Sequence, residues 1–332
     1  VRRVEGQDGQ KFCELGQRFA RAVLLGVIRG KDSQPLLNPD PETVIEPEDM
    51  LVFLAQRHED CVPGPRSDVP PPSVNAEYPL QPVAQAHRVL ILGWSRKVPA
   101  LLRELARFGA DSFEVDIVSG TPIAERKVDL DRYLGSTMKL RVNHVEDGFA
   151  TPGVIEERRP DQYDDIVVLA SELLEDKEHA DAVSVASAFR LRGCLSDQGR
   201  RSAVMVELLD HENLTLFQGG DEDVIVSPTV VSYVVSQVAL QRELAPVFWE
   251  LTRPWGGQIV LRPAESLVEP NSKVRFDQLQ QVAAARGDIA LGFWRPSDPD
   301  DGLVLNPDRD TEWSIEPGDE LVLLRSIKTP ES

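Results

Sequence analysis

Leu37-Asn38-Pro39-Asp40, followed by Ile45-Glu46-Pro47-Glu48-Asp49-Met50-Leu51-Val52-Phe53-Leu54, is written a second time near the other end of the chain. There it reads Leu305-Asn306-Pro307-Asp308 and then Ile315-Glu316-Pro317-Gly318-Asp319-Glu320-Leu321-Val322-Leu323-Leu324. The match continues upstream: Leu25-Gly26 and Arg29 answer to Leu291-Gly292 and Arg295, and Phe12 to Phe276, with an offset that drifts only from 264 to 270. A self-match this long, at a period far beyond that of a solenoid, marks a duplicated structural unit. Two copies of one small module therefore flank the middle of the chain, the first copy cut short.

Each copy reads as a strand-rich lobe. Ala22 to Arg29 and Ile289 to Arg295 are apolar runs rich in β-branched and aromatic residues, which suit a pleated, buried surface. Asn-Pro-Asp is turn chemistry, in which Pro presets φ and Asn and Asp bond back to the backbone. Glu-Pro-x-Asp ahead of Leu-Val-x-Leu repeats the device before a second short strand. Asp40, Asp49, Asp308 and Asp319 are accordingly expected to hold turns rather than a metal.

A chain of 332 residues exceeds one ordinary core, so two or three domains are expected. The net charge of −19 and a pI near 4.7 argue against nucleic acid and anionic membrane as partners, since both would repel such a surface. The same charge can attract cations. Cys13, Cys61 and Cys194 are odd in number and widely spaced, giving neither a disulfide framework nor a zinc pattern, and fit a reducing compartment. His58, His87, His144, His179 and His211 are scattered, without metal-ligand spacing. No stretch approaches the ~20 apolar residues that span a bilayer, and no leader opens the chain, so it reads as soluble. Its opening, Val1-Arg2-Arg3-Val4-Glu5, lacks Met and already reads as a strand, as expected for a piece of a longer protein.

Residues 61–86 are too proline-rich for helix or central strand and read as a linker. Beyond them strands and helices alternate. Arg88 to Leu92 is a buried strand; after Gly93-Trp94-Ser95 the residues Val98, Leu101, Leu102, Leu105 and Phe108 recur at helical spacing, with Gly109 as C-cap. Phe113 to Val118, Lys139 to Val142, Asp165 to Ala170, Ala203 to Leu208 and Val224 to Val226 read as further strands. Ala180 to Arg192 reads as a helix with Ala182, Val185, Ala186 and Phe189 on one side. The pattern predicts an α/β fold, a Rossmann-like doubly wound parallel sheet over residues 87–227, covered on both faces. Ser227-Pro228 then opens a helix to Arg242, with Val230, Val231, Val234, Val235 and Val238 on one broad face, part covering its own sheet and part left to a second copy of the chain. A short helix from Pro246 to Leu251 precedes the second lobe.

A nicotinamide dinucleotide needs glycines in the first strand-helix turn and an acid ending the second strand. Gly93-Trp94-Ser95-Arg96-Lys97-Val98-Pro99 keeps only the first glycine, Ser119-Gly120 stands where the acid belongs, and Asp116 lies too early. A helix start bearing Arg96 and Lys97 can still attract an anion such as a phosphate. No Ser-His-Asp order, Cys-His pair or acid pair suggests catalysis.

The order of these features resembles tandem regulator-of-potassium-conductance (RCK, TrkA-like) domains, above all those of CASTOR- and POLLUX-type ion channels. The resemblance is carried by Ile91-Leu92-Gly93-Trp94, Asp165 to Ala170, Val206-Glu207-Leu208-Leu209-Asp210, Asp223-Val224-Ile225-Val226-Ser227 and the duplicated Asn-Pro-Asp lobe. It implies that residues 1–60 are the C-terminal lobe of a first RCK domain and 61–86 a linker. Residues 87–244 would then be the Rossmann-like lobe of a second domain with its crossover helix, and 245–332 its C-terminal lobe. It further implies a non-enzymatic, homo-oligomeric gating ring, tetrameric in the full-length protein. That ring would lie on the cytoplasmic side of the cell membrane below a transmembrane pore of the same chain, sensing an ion such as calcium, or a nucleotide. The site residues that follow are Gly93, Trp94, Ser95 and Arg96 for a cofactor or anion, and Glu207 and Asp210, at a strand end, for a metal. The alternative is a nucleotide-dependent oxidoreductase, which the missing glycines and ribose acid disfavour.

Overall fold

The computed structural model describes residues 1–3, 5–30, 34–66, 69–70, 72, 86–107, 112–133, 140–151, 153–171, 176–195, 202–253, 256–298 and 302–326. The chain divides into two compact units, one of Val1–Gln81 with Gln237–Ser332 and the other of Pro82–Ser236. Phe108, Gly109 and Lys139, expected to close a helix and open a strand, lie outside the described residues.

The first lobe comprises α1 (Phe12–Gly16), β1 (Ala22–Ile28), β2 (Pro35–Leu37) and β3 (Met50–Ala55). Its strands form an antiparallel sheet in the order β2-β1-β3. The first described part of the proline-rich stretch is tied to this lobe. Arg18 Nε donates to the Gly64 carbonyl (3.0 Å), and Gly64 N donates back to the Arg18 carbonyl (2.7 Å).

The middle of the chain runs β4 (Ala86–Leu92), α2 (Val98–Arg107), β5 (Ser112–Ser119), α3 (Ile123–Tyr133), β6 (Leu140–Glu146), α4 (Val154–Glu157), β7 (Asp165–Val168), α5 (Lys177–Leu195), β8 (Ala203–Leu208), β9 (Asp223–Val226) and α6 (Ser227–Leu240). All six strands are parallel, in the order β6-β5-β4-β7-β8-β9. The expected α/β class and parallel sheet are therefore present, with a helix, α3, that the apolar pattern did not reveal. One apolar core, with Val98 and Leu102 of α2, packs on one face of the sheet; another, with Ala188 and Leu191 of α5, packs on the other.

Two helices present different faces from those expected. α5 buries Ala180, Asp181, Ser184, Ser187, Ala188 and Leu191, while Phe189 is exposed. Small side chains let the helix axis approach the sheet more closely than a Phe-bearing face would allow. α6 buries no residue at all, so its valines do not cover their own sheet.

The chain continues through α7 (Leu244–Leu251), β10 (Gly257–Pro263), β11 (Lys273–Arg275), α8 (Phe276–Ala285), β12 (Asp288–Trp294), β13 (Leu303–Leu305), β14 (Glu312–Ser314) and β15 (Glu320–Ser326). Four of these strands form an antiparallel sheet, β10-β15-β12-β13, and β11 pairs with β14. The repeat is structural in detail. β1, β2 and β3 correspond to β12, β13 and β15, and both long pairings slip register at the same place, between Leu24 and Gly26 and between Ala290 and Gly292. The repeated glycine follows from close approach. A Cβ on Gly26 would lie 2.2 Å from the Leu36 carbonyl oxygen, and one on Gly292 would lie 2.1 Å from that of Val304, distances no side chain tolerates.

The turn acids act as their spacing predicts. Asp49 Oδ2 accepts from Glu46 N (2.9 Å) and Asp319 Oδ2 from Glu316 N (2.8 Å), and Arg295 pairs with Asp319 at 2.9 Å. The two lobes also share one core. Val23, Ile28, Leu37 and Val52 of the first copy pack in a single buried cluster with Phe276, Leu291, Phe293 and Leu324 of the second.

Candidate functional site

In a sheet of this strand order the connections reverse sense between the two central strands, β4 and β7, and ligands of open α/β sheets bind outside the carboxyl ends of the strands there. Gly93 follows β4 with φ of +107°, and a Cβ on it would lie 2.6 Å from the Leu169 carbonyl. Leu169 N donates to the Leu92 carbonyl across the same gap (2.9 Å). The glycine therefore serves a chain-to-chain contact, and its own N–H is already given to the Val118 carbonyl (2.9 Å). Trp94 and Ser95 are buried, Trp94 within the core beside α2, and Ser95 Oγ accepts from Lys97 N (3.3 Å) at the start of that helix. Arg96 is exposed. With Trp94, Thr121, Glu125, Asp129 and Arg132 it lines a depression of about 400 Å³.

The carboxyl ends of β5 and β6 are filled from within. Arg126 of α3 is fully buried and donates to the carbonyls of Ile117 (3.2 Å), Ser119 (3.4 Å) and Val145 (3.0 Å). Its guanidinium carbon lies 6.0 Å from the Trp94 ring centroid. Burial lowers its pKa, and Glu146 partly offsets the effect. The place where a dinucleotide ribose would meet an acid is thus occupied by an arginine. Asp116 is engaged elsewhere, accepting from Tyr163 Oη (2.5 Å) and Asn143 Nδ2 (2.7 Å). Burial and this carboxylate both raise the Tyr163 pKa.

Glu207, next to last in β8, is almost wholly buried. Lys97 Nζ donates to its Oε1 (2.6 Å), Ser227 Oγ makes a very short hydrogen bond to the same oxygen, and Oε2 has no hydrogen-bond partner among the described residues. The sequence places Ser227 as a helix cap; the structure gives its hydroxyl to Glu207 instead. Asp210 stands in a separate network. Its Oδ1 accepts from Glu212 N (2.9 Å), and its own N–H donates to Asp181 Oδ2 (2.9 Å). Asp181, buried on α5, also accepts from Leu209 N (2.8 Å) and Asn213 Nδ2 (2.8 Å).

The expected residues therefore sit at the strand ends where a ligand site was sought: Gly93, Trp94 and Ser95 are buried, Arg96 is exposed, and Glu207 keeps one buried carboxylate oxygen without a partner among the described residues. The donor set does not suit a dinucleotide. Nor is any group of three or more His, Cys, Asp or Glu side chains placed to hold a metal among the described residues. A calcium ion at Glu207 would have to compete with Lys97, since it demands several oxygen ligands. Arg126 and Asp181 escaped notice in the sequence because buried polar residues leave no periodic apolar signal. No helix among the described residues is long and apolar enough to cross a membrane.

Comparison with known proteins yields no matching family model. A probable ion channel POLLUX of Oryza sativa subsp. japonica is 23% identical over 360 residues, covering 95% of this chain and 36% of its own length. Ion channel CASTOR of Lotus japonicus is 22% identical over 356 residues, covering 95% of this chain and 41% of its own. The chain thus spans well under half of the relatives it matches. Among solved structures, the human SLO3 gating ring superposes on 100% of this chain and 67% of its own with a TM-score of 0.66 at 12% identity, a likeness of fold. The resemblance seen in the strand ends and the duplicated lobe is thereby borne out: the chain is a homologue of CASTOR- and POLLUX-type ion channels, and it has the fold of a gating ring.

Proposed function

We propose that this chain is the regulatory, gating-ring region of a cation channel or transporter of the CASTOR and POLLUX type. The observation that carries this reading is the pairing of two copies of one lobe in a single core, with a parallel sheet inserted between them in the sequence, together with the fold match of this chain to a gating ring. Residues 1–60 would be the C-terminal lobe of a first RCK domain and residues 87–332 a second, the pore belonging to a part of the protein outside this sequence. The region would assemble with copies of itself into a tetrameric ring on the cytoplasmic side of the membrane. Ligand binding would open or close the pore only by as much as it favours one ring state over another.

Its role is non-enzymatic in this reading. The contact between Gly93 and Leu169 and the buried Arg126 disfavour hydride transfer on a bound dinucleotide, and with it the oxidoreductase alternative. They also favour an ion over a nucleotide as the sensed ligand. Glu207, whose second carboxylate oxygen is buried without a partner, is the acid we assign to ion sensing, with Asp210 beside it in sequence.

The test is electrophysiological. The full-length channel and a version lacking this region would be reconstituted in planar bilayers, and open probability measured while calcium is varied on the ring side. Calcium-dependent opening or closing that disappears with the region supports the proposal. Identical responses from both would refute it, as would turnover of any substrate by the purified chain with NAD(H).

A further inference from the structure

The two halves of the paired-lobe interface are filled differently. Arg309, next after Asn306-Pro307-Asp308, lays its guanidinium carbon 5.0 Å from the centroid of the Phe276 ring. It donates to the carbonyls of Ala22 (2.6 Å) and Phe19 (3.1 Å) in the other copy, and more weakly to that of Pro307 (3.5 Å). Burial lowers its pKa to about 10, with Asp277 and Asp308 acting to raise it.

The equivalent residue of the first copy is Pro41. Backbone hydrogen bonds fix the equivalence: Cys13 N donates to the Pro41 carbonyl (3.1 Å) as Asp277 N does to that of Arg309 (3.2 Å), and Thr43 N to Asp40 O (2.8 Å) as Thr311 N to Asp308 O (3.1 Å). Ala22 pairs with Ala55 as Asp288 pairs with Arg325, the same two positions of the repeat. Carried across in this way, three of the four groups that hold Arg309, namely Phe276, Pro307 and Ala22, become Phe12, Pro39 and Asp288. All three line one cavity of about 70 Å³, together with Pro41, Cys13 and Ala284. One water needs roughly 10–15 Å³ of such space, so the cavity admits a group of several heavy atoms. It is the volume that an arginine fills in the other half and that the proline ring leaves open.

We propose that this cavity is a binding site for a small planar cation of the guanidinium class, seated on Phe12 and donating to the Pro39 and Asp288 carbonyls as Arg309 is seated in the other copy. An aromatic face attracts such a cation electrostatically, and a planar fork of N–H groups matches fixed carbonyl acceptors better than a spherical ammonium does. Of the two carboxylates that support Arg309, Asp308 keeps its counterpart in Asp40, while Asp277 is replaced by Cys13. The cavity therefore holds a cation less strongly than the half that carries its own. The proposal is independent of the gating-ring reading, which its failure would leave standing.

Cys13 supplies the readout. Alkylation of Cys13 and Cys194 by iodoacetamide would be followed by mass spectrometry with methylguanidinium, tetramethylammonium or methylurea present at matched millimolar concentration. Methylguanidinium is expected to slow Cys13 at least about threefold once its concentration is twice Kd, from the factor 1 + [L]/Kd, while leaving Cys194 unchanged. Phe12→Leu should weaken protection about fivefold, the size of one cation–π contact. Pro41→Arg should slow Cys13 without ligand and abolish any further effect of the probe. No protection up to denaturing concentrations overturns the site, and equal protection by tetramethylammonium or methylurea overturns the guanidinium class. Full protection retained in Pro41→Arg places binding elsewhere and equally sinks the proposal. If that variant does not fold, wild type and Phe12→Leu still decide.

Discussion

Asn38 and Asn306 each reach into the copy to which they do not belong. Asn38 Nδ2 donates to the Gly287 carbonyl (2.7 Å), and Asn306 Nδ2 donates to that of Arg21 (2.8 Å). Gly287 and Arg21 are themselves equivalent, each directly preceding the central strand of its lobe. Both asparagines have positive φ, 45° and 50°, a conformation Asn tolerates better than other side chains. The repeated Asn thus has two duties, a left-handed turn and a reciprocal clasp between the lobes.

Replacing either asparagine should separate those duties. Asn38→Gly keeps the turn and loses the clasp, at about 1 kcal/mol. Asn38→Ala also loses the clasp and keeps a Cβ without the local bonding by which Asn tolerates a left-handed conformation, so it should fall roughly 1–2 kcal/mol below Asn38→Gly. Urea denaturation of the two variants and their Asn306 equivalents should show alanine below glycine at both positions. Equal midpoints would refute the argument.

Lys97 and Glu207 form a partly buried pair whose removal should be asymmetric. Lys97→Met leaves a buried carboxylate with Ser227 alone and should cost about 1–2 kcal/mol, less than a fully buried pair would, because Lys97 is 40% exposed. Adding Glu207→Gln should recover part of the loss, with a coupling energy above about 0.5 kcal/mol in a double-mutant cycle. Calcium should raise the melting temperature of Lys97→Met more than that of wild type, since the competing ammonium is gone. Melts unmoved by calcium, magnesium or chelator in both proteins would remove Glu207 from the list of ion ligands.

α6 should mediate self-association. Val231 and Val235, one helical turn apart, are each 60% exposed, an apolar strip that association would shield from water. Light scattering after size exclusion should report a dimer or larger species, and Val231→Glu or Val235→Glu should lower its mass. Val234, only half-buried, should respond less. A species near 36.9 kDa at high micromolar concentration would exclude this interface.

His144 should add to acid sensitivity. Burial first, then the charges of Arg126 and Lys127, hold its pKa below the ordinary 6.5. The unfolded chain therefore binds a proton there more readily than the folded one. Stability from this group is full above about pH 6.5 and is lost as the pH falls below it, toward the depressed folded value. His144→Gln should flatten the pH dependence of stability between about pH 6.5 and 5. An unchanged slope in chemical denaturation would show that this histidine is not the source.

The sequence was most legible where apolar residues alternate or repeat. The strands around Leu90, Ile117, Val167 and Val206 follow patterns that side-chain burial imposes, whereas the valine-rich helix, which buries nothing, was legible from its Ser227-Pro228 start. α8 could have been read in the same way, since Phe276, Leu279, Val282 and Ala283 share one buried face. α3 could not. Its fully buried residue is Arg126, whose value lies in three carbonyl acceptors that no linear pattern announces. The crevice was half legible: the missing glycines were visible, but not that Gly93 is packed against Leu169. Internal symmetry carried the most information, because each residue of one copy can be judged by what its counterpart does.

The shared core of the two lobes has a consequence for synthesis. β3 of the first lobe ends at Ala55 and β15 of the second at Ser326, so the ribosome adds some 270 residues between them. At about 5–20 residues per second this takes roughly 14–54 s, during which Val23, Ile28, Leu37 and Val52 wait on a nascent chain without their apolar partners. Neighbouring ribosomes on one message bring many such waiting lobes together, and the nearest complementary surface is then another first lobe or the second lobe of an earlier chain. Exchange of lobes between chains therefore competes with closure within one chain, and the outcome is set by translation rate and by what shields those four side chains in the interval.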